Sequence, residues 1–494
     1  MSTMDYKMKI MIGYPPTESK KGTALLSQNR QFQWFSNPSY IFPVILGSAA
    51  TLLEEKGNEV LWVDCIAEKI SFEGFFEIIK KQKTDLFIFE TKTPVIKQHW
   101  KIIDKLKERF PKMRIVLMGD HVTSFPEESM KKSKVDFVLT GGDYDFLNLG
   151  LVEFLKGKAK KIPGGIWYRE KGKIKNSGKF ELTYKLDEAP FIDRELTKWK
   201  LYEKEYNLIG RPFFYIMSGR DCWWGKCKFC SWPRLYPCFR NRSVENVLDE
   251  IGMLIDKYNV KEIFDDSGTL SIGSWLQDLC KGLIKRGYNK KIKYSCNMRF
   301  GVLKQEDYNL MAQAGFRLLK FGLESANQKT LDFIDKGIVV KDIIEGCRMA
   351  KKAGLIVHLT MIVGWPLETK QDVLKTFELA KKLMQSGDAD LLQATVLIPY
   401  PGTALWKEAK ENKWFLFNPE QYERYDMRES VLKVKGNAED VASVCGKIYT
   451  IFLTPKYIFA RLKSINSWED FKFNLRGAWA VVGHLRDFVF GIKK

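Results

Sequence analysis

Residues 220–230 have the sequence RDCWWGKCKFC. Its three cysteines, Cys222, Cys227 and Cys230, are separated by four and then two residues, and they directly follow an apolar run typical of a β-strand. Three thiolates suit three irons of a four-iron cluster and leave the fourth iron open. A zinc site normally has a fourth Cys or His ligand. Because Cys238 follows Cys230 after seven residues, a structural zinc site is the alternative interpretation.

From residue 208 onward, the chain alternates short apolar runs with helical stretches. Six strands are expected, and together with the intervening helices they predict a partial β/α barrel over residues 208–415. In such barrels the active site lies at the carboxyl ends of the strands. The cysteine motif follows the carboxyl end of the first predicted strand and so lies at this position. The expected strands lie near residues 214–217, 262–264, 292–295, 318–322, 357–363 and 391–397.

The chain on the amino side of the motif predicts a second α/β unit. Short apolar runs near residues 10–12, 60–63, 86–89, 115–118 and 137–139 alternate with helical segments, as in a parallel doubly wound sheet. We therefore expect a Rossmann-like domain over residues 1–160. Turn signals predict a linker with a small hairpin over residues 161–207, and residues 416–494 form a helical region rich in basic and aromatic side chains.

Composition bears on the partners of the protein and on its cellular compartment. The 494 residues carry 80 Lys and Arg against 60 Asp and Glu, a net charge of +20 that favours anionic partners but also suits a lysine-rich solvated surface. Nine cysteines with one tight cluster argue against a disulfide framework. The sequence begins without a signal-peptide pattern, and its longest apolar run is too short to span a bilayer. We expect a cytoplasmic protein.

The cysteine motif resembles that of radical S-adenosylmethionine (SAM) enzymes, in which three residues usually separate the first two cysteines and an aromatic residue precedes the last. Phe229 stands at the aromatic position, whereas the first gap is one residue longer here. The resemblance implies a 4Fe–4S cluster on Cys222, Cys227 and Cys230, with SAM on the open iron. It also implies reductive cleavage of SAM to a deoxyadenosyl radical.

Five further segments resemble the SAM-contact motifs of this family, and each ends a predicted barrel strand. The resemblance implies that Asp266 holds the SAM amino group, although the common Gly-Gly-Glu form is absent. Arg299 is expected to pair with the carboxylate of SAM. Glu324 and Ser325 are expected at the methionyl and ribose groups, and Gly364 at the adenine. The segment Pro399-Tyr400-Pro401-Gly402-Thr403 completes the series.

The front domain resembles the cobalamin-binding domain that precedes the barrel in one branch of this family. Gly119, His121 and Gly141 are expected contacts of the cobalamin because they follow strands at the edge where open α/β sheets bind ligands. Ile66 and Lys69 stand where the full cobalamin motif has a cobalt-ligating histidine and a glycine. A lower histidine ligand is therefore not expected.

With both cofactors, the resemblance implies methylation of an unactivated carbon on an unidentified small-molecule or lipid-like substrate. The alternatives are a radical SAM cyclisation or rearrangement without methyl transfer, and a nucleic-acid-binding protein with a structural metal site. No nucleic-acid-binding signature is present, so no nucleic acid partner is expected. We expect an electron donor such as a flavodoxin or ferredoxin and a peripheral membrane contact through the carboxy-terminal region. No catalytic residue is assigned.

Overall fold

The structure is a computed structural model. It describes residues 6–485 apart from 27–31, 36–37, 39, 204–207, 237, 436–437, 464 and 466–467. The end of the predicted carboxy-terminal region, with Phe488 and Phe490, lies outside the described residues.

The amino-terminal part contains the predicted parallel sheet. Its strand order is β4-β1-β5-β6-β7-β8-β9, and all five predicted strands are present, parallel from β4 to β7. Because β1 lies between β4 and β5, the order of the strands reverses at β1, and open α/β sheets bind their ligands at such a point. The strands are β1 (Lys9–Tyr14), β2 (Thr23–Ala24), β3 (Trp34–Phe35), β4 (Glu59–Asp64), β5 (Leu86–Thr91), β6 (Arg114–Gly119), β7 (Phe137–Leu139), β8 (Ile166–Glu170) and β9 (Lys173–Asn176).

Six helices accompany this sheet. Strand β5 is buried along its whole length, as expected for a parallel strand covered on both faces. A second helix begins after Ser71, whose hydroxyl accepts a hydrogen bond from the backbone N–H of Gly74 and so caps it. The helices are α1 (Val44–Glu55), α2 (Phe72–Gln82), α3 (Ile96–Arg109), α4 (Asp120–Ser124), α5 (Pro126–Lys132) and α6 (Tyr144–Leu155).

The hairpin expected in the linker extends the first sheet instead. Strand β8 pairs antiparallel with β7, with Leu139 opposite Ile166, and β9 follows it. The hairpin covers the edge that β7 would otherwise present, and turn signals alone could not indicate this pairing. Short 3₁₀ helices at Leu186–Glu188 and Trp199–Tyr202 lead to the second sheet.

The second sheet is the predicted partial barrel. Its six strands are parallel and lie in chain order, β10-β13-β14-β15-β16-β17, and every expected strand is found. The strands are β10 (Phe213–Ile216), β11 (Gly219–Arg220), β12 (Arg240–Asn241), β13 (Glu262–Asp265), β14 (Lys293–Met298), β15 (Phe316–Glu324), β16 (Ile356–Val363) and β17 (Leu391–Val396). Strands β11 and β12 form a separate antiparallel pair beside the cysteine loop.

Helices connect the barrel strands. One begins after Ser243, whose hydroxyl accepts from the N–H of Asn246, and ends at Asn259 in the left-handed conformation. The helices are α7 (Trp232–Leu235), α8 (Val244–Tyr258), α9 (Ser274–Lys285), α10 (Gln305–Gln313), α11 (Gln328–Phe333), α12 (Val340–Lys352), α13 (Lys370–Ser386) and α14 (Ala404–Glu411). A 3₁₀ helix at Tyr288–Lys290 precedes β14.

The carboxy-terminal region is helical in its described part, as the sequence predicts. Its elements are a 3₁₀ helix at Tyr422–Arg424, α15 (Ala438–Ile448), a 3₁₀ helix at Tyr449–Leu453, α16 (Pro455–Lys463) and α17 (Trp468–Leu485). Over the residues that the structure describes, we find no helix with the length and apolar character that a membrane span requires.

Candidate active site

The three cysteines of the motif lie in the loop that follows β11, at the carboxyl ends of the barrel strands. Cys222, Cys227 and Cys230 line one cavity of about 220 Å³. Asn297 and Met298 from β14 and Glu324 from β15 reach the same cavity. The other lining residues are Asp120, Trp224, Phe229, Ser231, Trp232, Gly268, Thr269, Arg299, Lys320, Gly322, Lys336, Thr360 and Tyr400.

Three cysteines that line one cavity provide the thiolate donors that a four-iron cluster uses. Cys238, the expected fourth zinc ligand, is exposed and does not line the cavity. In a four-iron cluster the thiolates bind different irons, so they surround a volume instead of meeting at a point. The donor set therefore fits the cluster.

Cations beside the cysteines favour the thiolate form that binds iron. Burial raises the pKa of the Cys227 thiol, while Lys336 and, more weakly, Arg299 act in the opposite direction. Burial also raises the pKa of Cys230. An anionic cluster would consequently find compensating positive charge on one side of the cavity.

Arg299 and Glu324, two of the expected SAM contacts, both face the cavity. The guanidinium of Arg299 lies 4.1 Å from the centre of the Trp224 ring, and its Nη2 donates a hydrogen bond to the carbonyl of Lys336. Lys336 in turn donates from Nζ to Oε1 of Glu324 over 2.7 Å. Arg299 is thus a buried, oriented cation rather than an ordinary surface arginine, and a carboxylate and an ammonium lie beside it.

Gly322 makes room for this arrangement. A Cβ atom there would lie 2.2 Å from Oε1 of Glu324 and 2.6 Å from Nζ of Lys336. Glu324 itself has a positive φ of 57° at a register irregularity between β15 and β16. Backbone strain of this kind persists where the surroundings enforce it, and it is common at ligand sites. The sequence alone does not indicate this role of Gly322.

Ser325 lies away from the cavity and within a buried network. Its hydroxyl donates to Oε1 of Glu368 over 2.6 Å, and Thr330 and Asn327 donate to the same oxygen over 2.9 and 3.3 Å. Burial raises the pKa of Glu368. The network ties the end of β15 to the turn after β16, a role of Glu368 that the sequence pattern does not indicate. A contact between Ser325 and SAM stays a prediction.

Asp266 and Gly364 also do not line the cavity. Asp266 is fully buried, and its backbone N–H donates to the carbonyl of Ile216 over 2.8 Å. Gly364 lies against the carboxy-terminal region, since a Cβ there would be 3.2 Å from Val441. Phe229, by contrast, lines the cavity, and its ring lies 5.3 Å from the ring of Trp365. The structure therefore gathers Phe229, Arg299 and Glu324 at the cysteines, but not Asp266 or Gly364.

In the first domain, Asp120 rather than its two neighbours reaches the cavity. The Nζ of Lys92 lies 3.5 Å from Oδ2 of Asp120, and both side chains are buried. His121 points into the protein, where its ring nitrogens lie 3.2 Å from the Thr93 hydroxyl and 3.2 Å from a Glu128 oxygen. Gly119 and His121, the two contacts predicted from the sequence, lie on either side of the residue that faces the site.

The remaining expected cobalamin contacts are backbone positions that pack against protein. A Cβ at Gly119 would lie 2.2 Å from the carbonyl oxygen of Thr91 on the neighbouring strand. At Gly141 it would lie 2.6 Å from Cβ of Phe180. Both loops stand at the carboxyl edge of the first sheet, and their contact with a cofactor stays a prediction.

A buried ionic network joins the cysteine loop to the first domain. Arg220, two residues before Cys222, donates from Nη1 to Asp143 over 2.7 Å and to Asp145 over 2.9 Å. Arg240 donates to the second oxygen of Asp143 over 2.7 Å. Although burial opposes ionisation of Asp145, Arg220 holds the pKa of that carboxyl below its ordinary value. These ion pairs hold the cysteine loop against the loop that follows β7.

Three further contacts, each to a backbone group, join the two domains. A Cβ at Gly142 would lie 1.9 Å from the carbonyl oxygen of Leu235, so α7 docks directly on that glycine. The Tyr400 hydroxyl accepts from the N–H of Phe32 over 2.9 Å. The Ser124 hydroxyl donates to the carbonyl of Pro401 over 2.9 Å. The cavity thus lies where the two domains meet.

Comparison with known proteins agrees with this site. Residues 216–380 match the profile of the Radical SAM superfamily. A protein of Pyrococcus horikoshii described as an uncharacterized methyltransferase, PH0819, is 30% identical over 457 residues, which is 91% of this chain and 94% of the relative. The chain belongs to the radical SAM superfamily. Radical SAM proteins are enzymes that use a 4Fe–4S cluster and SAM, so membership confirms the predicted enzyme class and favours it over a nucleic-acid-binding protein.

Two further proteins match over most of the chain. The radical SAM methyltransferase TsrM of Kitasatospora setae, solved with cobalamin and a [4Fe–4S] cluster bound, has a TM-score of 0.68 at 14% identity and covers 97% of this chain and 99% of its own. This likeness confirms the predicted fold, a Rossmann-like domain of the cobalamin-binding type before the radical SAM barrel. An anaerobic magnesium-protoporphyrin IX monomethyl ester cyclase of Cereibacter sphaeroides is 22% identical over 382 residues, which is 76% of this chain and 60% of the relative.

Proposed function

We propose that this radical SAM enzyme is a cobalamin-dependent methyltransferase that acts on an unactivated carbon of a small hydrophobic molecule. One observation carries the proposal: the three cysteines of the barrel and Asp120 of the first domain line the same cavity. A methyl donor held by the first domain and a radical formed at the barrel would therefore meet in one space. The similarity to TsrM and to the P. horikoshii methyltransferase supports the same function.

The edge of the first sheet suits a corrinoid without a histidine ligand. At the point where the strand order reverses, the Tyr14 hydroxyl donates to Glu90 over 2.8 Å. The Tyr202 hydroxyl donates to Asp64 over 2.8 Å at the end of β4. Ile66 and Lys69 stand where the full motif has its histidine and glycine. Polar groups for the corrin periphery are thus present, while no ligand to the cobalt comes from position 66.

The residues around the cavity have separate tasks in this proposal. When bound, the cofactors supply a deoxyadenosyl radical from SAM and the cluster, and a methyl group from cobalamin. Arg299 would hold the SAM carboxylate, and Glu324 with Lys336 would orient the methionyl amine. The rings of Trp224, Phe229 and Tyr400 line the cavity and would exclude water from the radical. Asp266, Ser325 and Gly364, the other predicted SAM contacts, do not line the cavity, and we propose a supporting role for them.

A labelling experiment tests the methyl transfer. The anaerobically reconstituted protein, loaded with hydroxocobalamin and desalted, receives a strong reductant and SAM with a deuterated methyl group. We expect corrin to remain with the protein and mass spectrometry to find the deuterated methyl on it. The matched sample is the same protein without reductant, which should carry no label. A protein that loses all corrin on desalting would contradict the proposal.

The second candidate is a radical SAM cyclisation or rearrangement, which the similarity to the C. sphaeroides cyclase favours. The two functions differ in the fate of the SAM methyl group. Extracts incubated with the loaded enzyme and the labelled SAM would yield a deuterated product from a methyltransferase. A new product without the label, formed together with 5′-deoxyadenosine, would favour cyclisation.

We further propose that an acidic flavodoxin or ferredoxin delivers the electron at the cysteine loop. Lys226 is exposed between the first two cysteines, and its Nζ lies 5.0 Å from the centre of the Trp224 ring. An acidic protein would approach such a cation through charge complementarity. Lys226→Glu should slow cluster reduction by the protein donor and leave reduction by dithionite unchanged. Equal slowing with both reductants would contradict this docking site.

Finally, we propose that the carboxy-terminal helices contact a membrane surface. Helices on a protein surface normally turn their polar side outward, whereas α17 turns Trp468, Leu475 and Trp479 away from the barrel. Trp479 has 74% of its surface exposed. Lys472 lies on the same outward face. Aromatic and basic side chains together are typical of helices that lie in the interface of a bilayer.

A further inference from the structure

A second cavity, of about 830 Å³, lies at the end of the barrel opposite the cysteines. Lys293 begins β14 and lines this cavity, whereas Met298 ends the same strand and lines the cysteine cavity. Ile356, at the start of β16, also lines it. Arg461 of α16 and Phe473 of α17 form the wall on the other side. The cavity is therefore enclosed between the amino ends of the strands and the carboxy-terminal helices.

This cavity carries an excess of positive charge. Its acid Asp390 is already engaged by Lys351 and by Arg461, over 2.9 and 2.8 Å. Asp470 is the one other acid among the described lining residues. Arg317 also lines the cavity and is paired with the buried Glu262 over 2.6 Å. The other cations that line the cavity are Arg211, Lys261, Lys290, Lys291 and Lys293.

A neighbouring arginine shows the same imbalance. Arg476 of α17 donates from Nη2 to the carbonyl of Leu208 over 2.8 Å, while its buried Nε has no hydrogen-bond partner in the described structure. Burial lowers the pKa of Arg476, and Arg211 and Arg317 act in the same direction, while Glu262 opposes them. An anion in the cavity would relieve this repulsion.

The helices that close the cavity present two different faces. Arg461 on α16 and Phe473 and Asn474 on α17 turn inward and line it. Phe459 and Leu462 on α16 turn outward, each with 60% of its surface exposed, next to the outward residues of α17 described above. A basic cavity and an exposed apolar surface are thus built on the same two helices.

We infer that the cavity binds the phosphate headgroup of an anionic membrane lipid while the outward faces of α16 and α17 lie among the lipid chains near the headgroups. This inference rests on the membrane contact proposed above and adds the lipid class and its binding site. A free phosphate would need the cations but not the apolar surface. An acidic protein partner would match the charge, but the clustered tryptophan, phenylalanine and leucine side chains beside cationic lysines are those that interfacial helices use.

The position of the site separates docking from catalysis. Because the basic cavity and the cysteine cavity lie at opposite ends of the strands, the docked protein would turn its cysteine cavity away from the bilayer. Docking would therefore localise the enzyme on the membrane, but substrate would not pass directly from the bilayer into the cysteine cavity.

Co-sedimentation of the full chain with vesicles tests the inference. One set of vesicles contains phosphatidylcholine alone, and the other contains phosphatidylglycerol as well. The cavity variant is Lys290→Gln/Lys291→Gln/Lys293→Gln, whose three side chains are exposed. The control is Lys80→Gln/Lys81→Gln/Lys101→Gln, which removes the same charge from exposed positions of the first domain. Both should be folded by circular dichroism.

We expect binding to the vesicles that contain phosphatidylglycerol, roughly a hundredfold weaker for the cavity variant and nearly unchanged for the control. Leu475→Ser/Trp479→Ser should weaken binding as well. Equal binding to both vesicle types would overturn the anionic-lipid site but keep the membrane contact, and binding to neither would overturn both. Inorganic phosphate or an acidic protein that binds at the three lysines without vesicles, in a protein that ignores anionic vesicles, would assign the cavity to that partner instead.

Discussion

The guanidinium of Arg220 donates a 2.7 Å hydrogen bond to the carboxylate of Asp143, and this contact joins the cysteine loop to the first domain. Asp145 and Arg240 complete the buried network. Removing one partner of a buried ion pair leaves a charge without compensation. Arg220→Met should therefore lower the free energy of unfolding by about 3–5 kcal/mol in urea denaturation of the apoprotein.

The control for this variant is Arg286→Met. Arg286 also pairs with two acids, Asp249 and Glu245, but its side chain is 28% exposed and its partners are more so. Exposed pairs contribute less than about 1 kcal/mol. Similar losses from the two variants would show that the network at Arg220 does not fasten the domains.

Gly322→Ala should weaken SAM binding while the fold is retained. The added Cβ would meet the mobile ends of Glu324 and Lys336 rather than backbone, so those head groups shift and the barrel stays intact. Loss of one charge-assisted contact corresponds to about 10- to 100-fold in affinity. Isothermal titration of the reconstituted protein with SAM measures it. Gly477→Ala, where a Cβ meets nothing within 4 Å, is the control and should bind as wild type.

We expect Glu368 to stabilise the carboxyl edge of the barrel, although its side chain does not line the cavity. Its Oε1 accepts hydrogen bonds from Ser325, Thr330 and Asn327. Glu368→Ala leaves those donors buried without an acceptor and should cost about 2–4 kcal/mol of stability. Glu368→Gln keeps an acceptor oxygen and should cost less than about 1.5 kcal/mol. Thermal denaturation of both variants gives the comparison, and equal losses would contradict the network.

Asp64 predicts a pH dependence of stability. Burial raises the pKa of its carboxyl from 3.8 to about 6 in the folded protein. The native state thus holds this proton more tightly than the unfolded chain, so the contribution of Asp64 to stability falls as the pH rises from about 4 to about 6. The shift of about two pKa units corresponds to about 3 kcal/mol.

The variant Asp64→Asn lacks this ionisation. Its stability relative to wild type should rise by up to about 3 kcal/mol between pH 4 and pH 7, as measured by urea denaturation across that range. Asp256→Asn, the same substitution at an exposed position of α8, is the matched control. Parallel curves for Asp64→Asn and wild type would contradict the raised pKa.

The regular elements of both domains could be predicted because buried parallel strands are continuous apolar runs. β5 and β6 contain such runs, and the sequence predicts both strands. The role of β8 could not be predicted, since its pairing with β7 depends on a sheet edge, which no local sequence pattern indicates. Likewise, α17 is predictable as a helix, but which side faces outward depends on how it packs against the barrel.

Some residues of the candidate site could likewise be predicted from the sequence, and others could not. Cys222, Cys227 and Cys230 are identifiable because their spacing within one loop reflects the cofactor directly. Arg220 was quoted beside them but not assigned, because its partners Asp143 and Asp145 lie 77 and 75 residues away in sequence. Asp120 was passed over for His121 because sequence shows that a loop follows β6, but not which of its side chains turns toward the barrel.

The central claim is that the three cysteines hold a cluster that cleaves SAM beside a bound corrin. The direct measurement is anaerobic reconstitution with iron, sulfide and hydroxocobalamin, followed by dithionite and SAM, with iron content, corrin absorbance and 5′-deoxyadenosine determined on the same sample. We predict bound corrin, about four irons per chain and 5′-deoxyadenosine, with the nucleoside abolished by Cys227→Ala and unaffected by Cys238→Ala. A protein that binds no cluster and leaves SAM intact, or one that loses metal equally in both variants, would contradict the account.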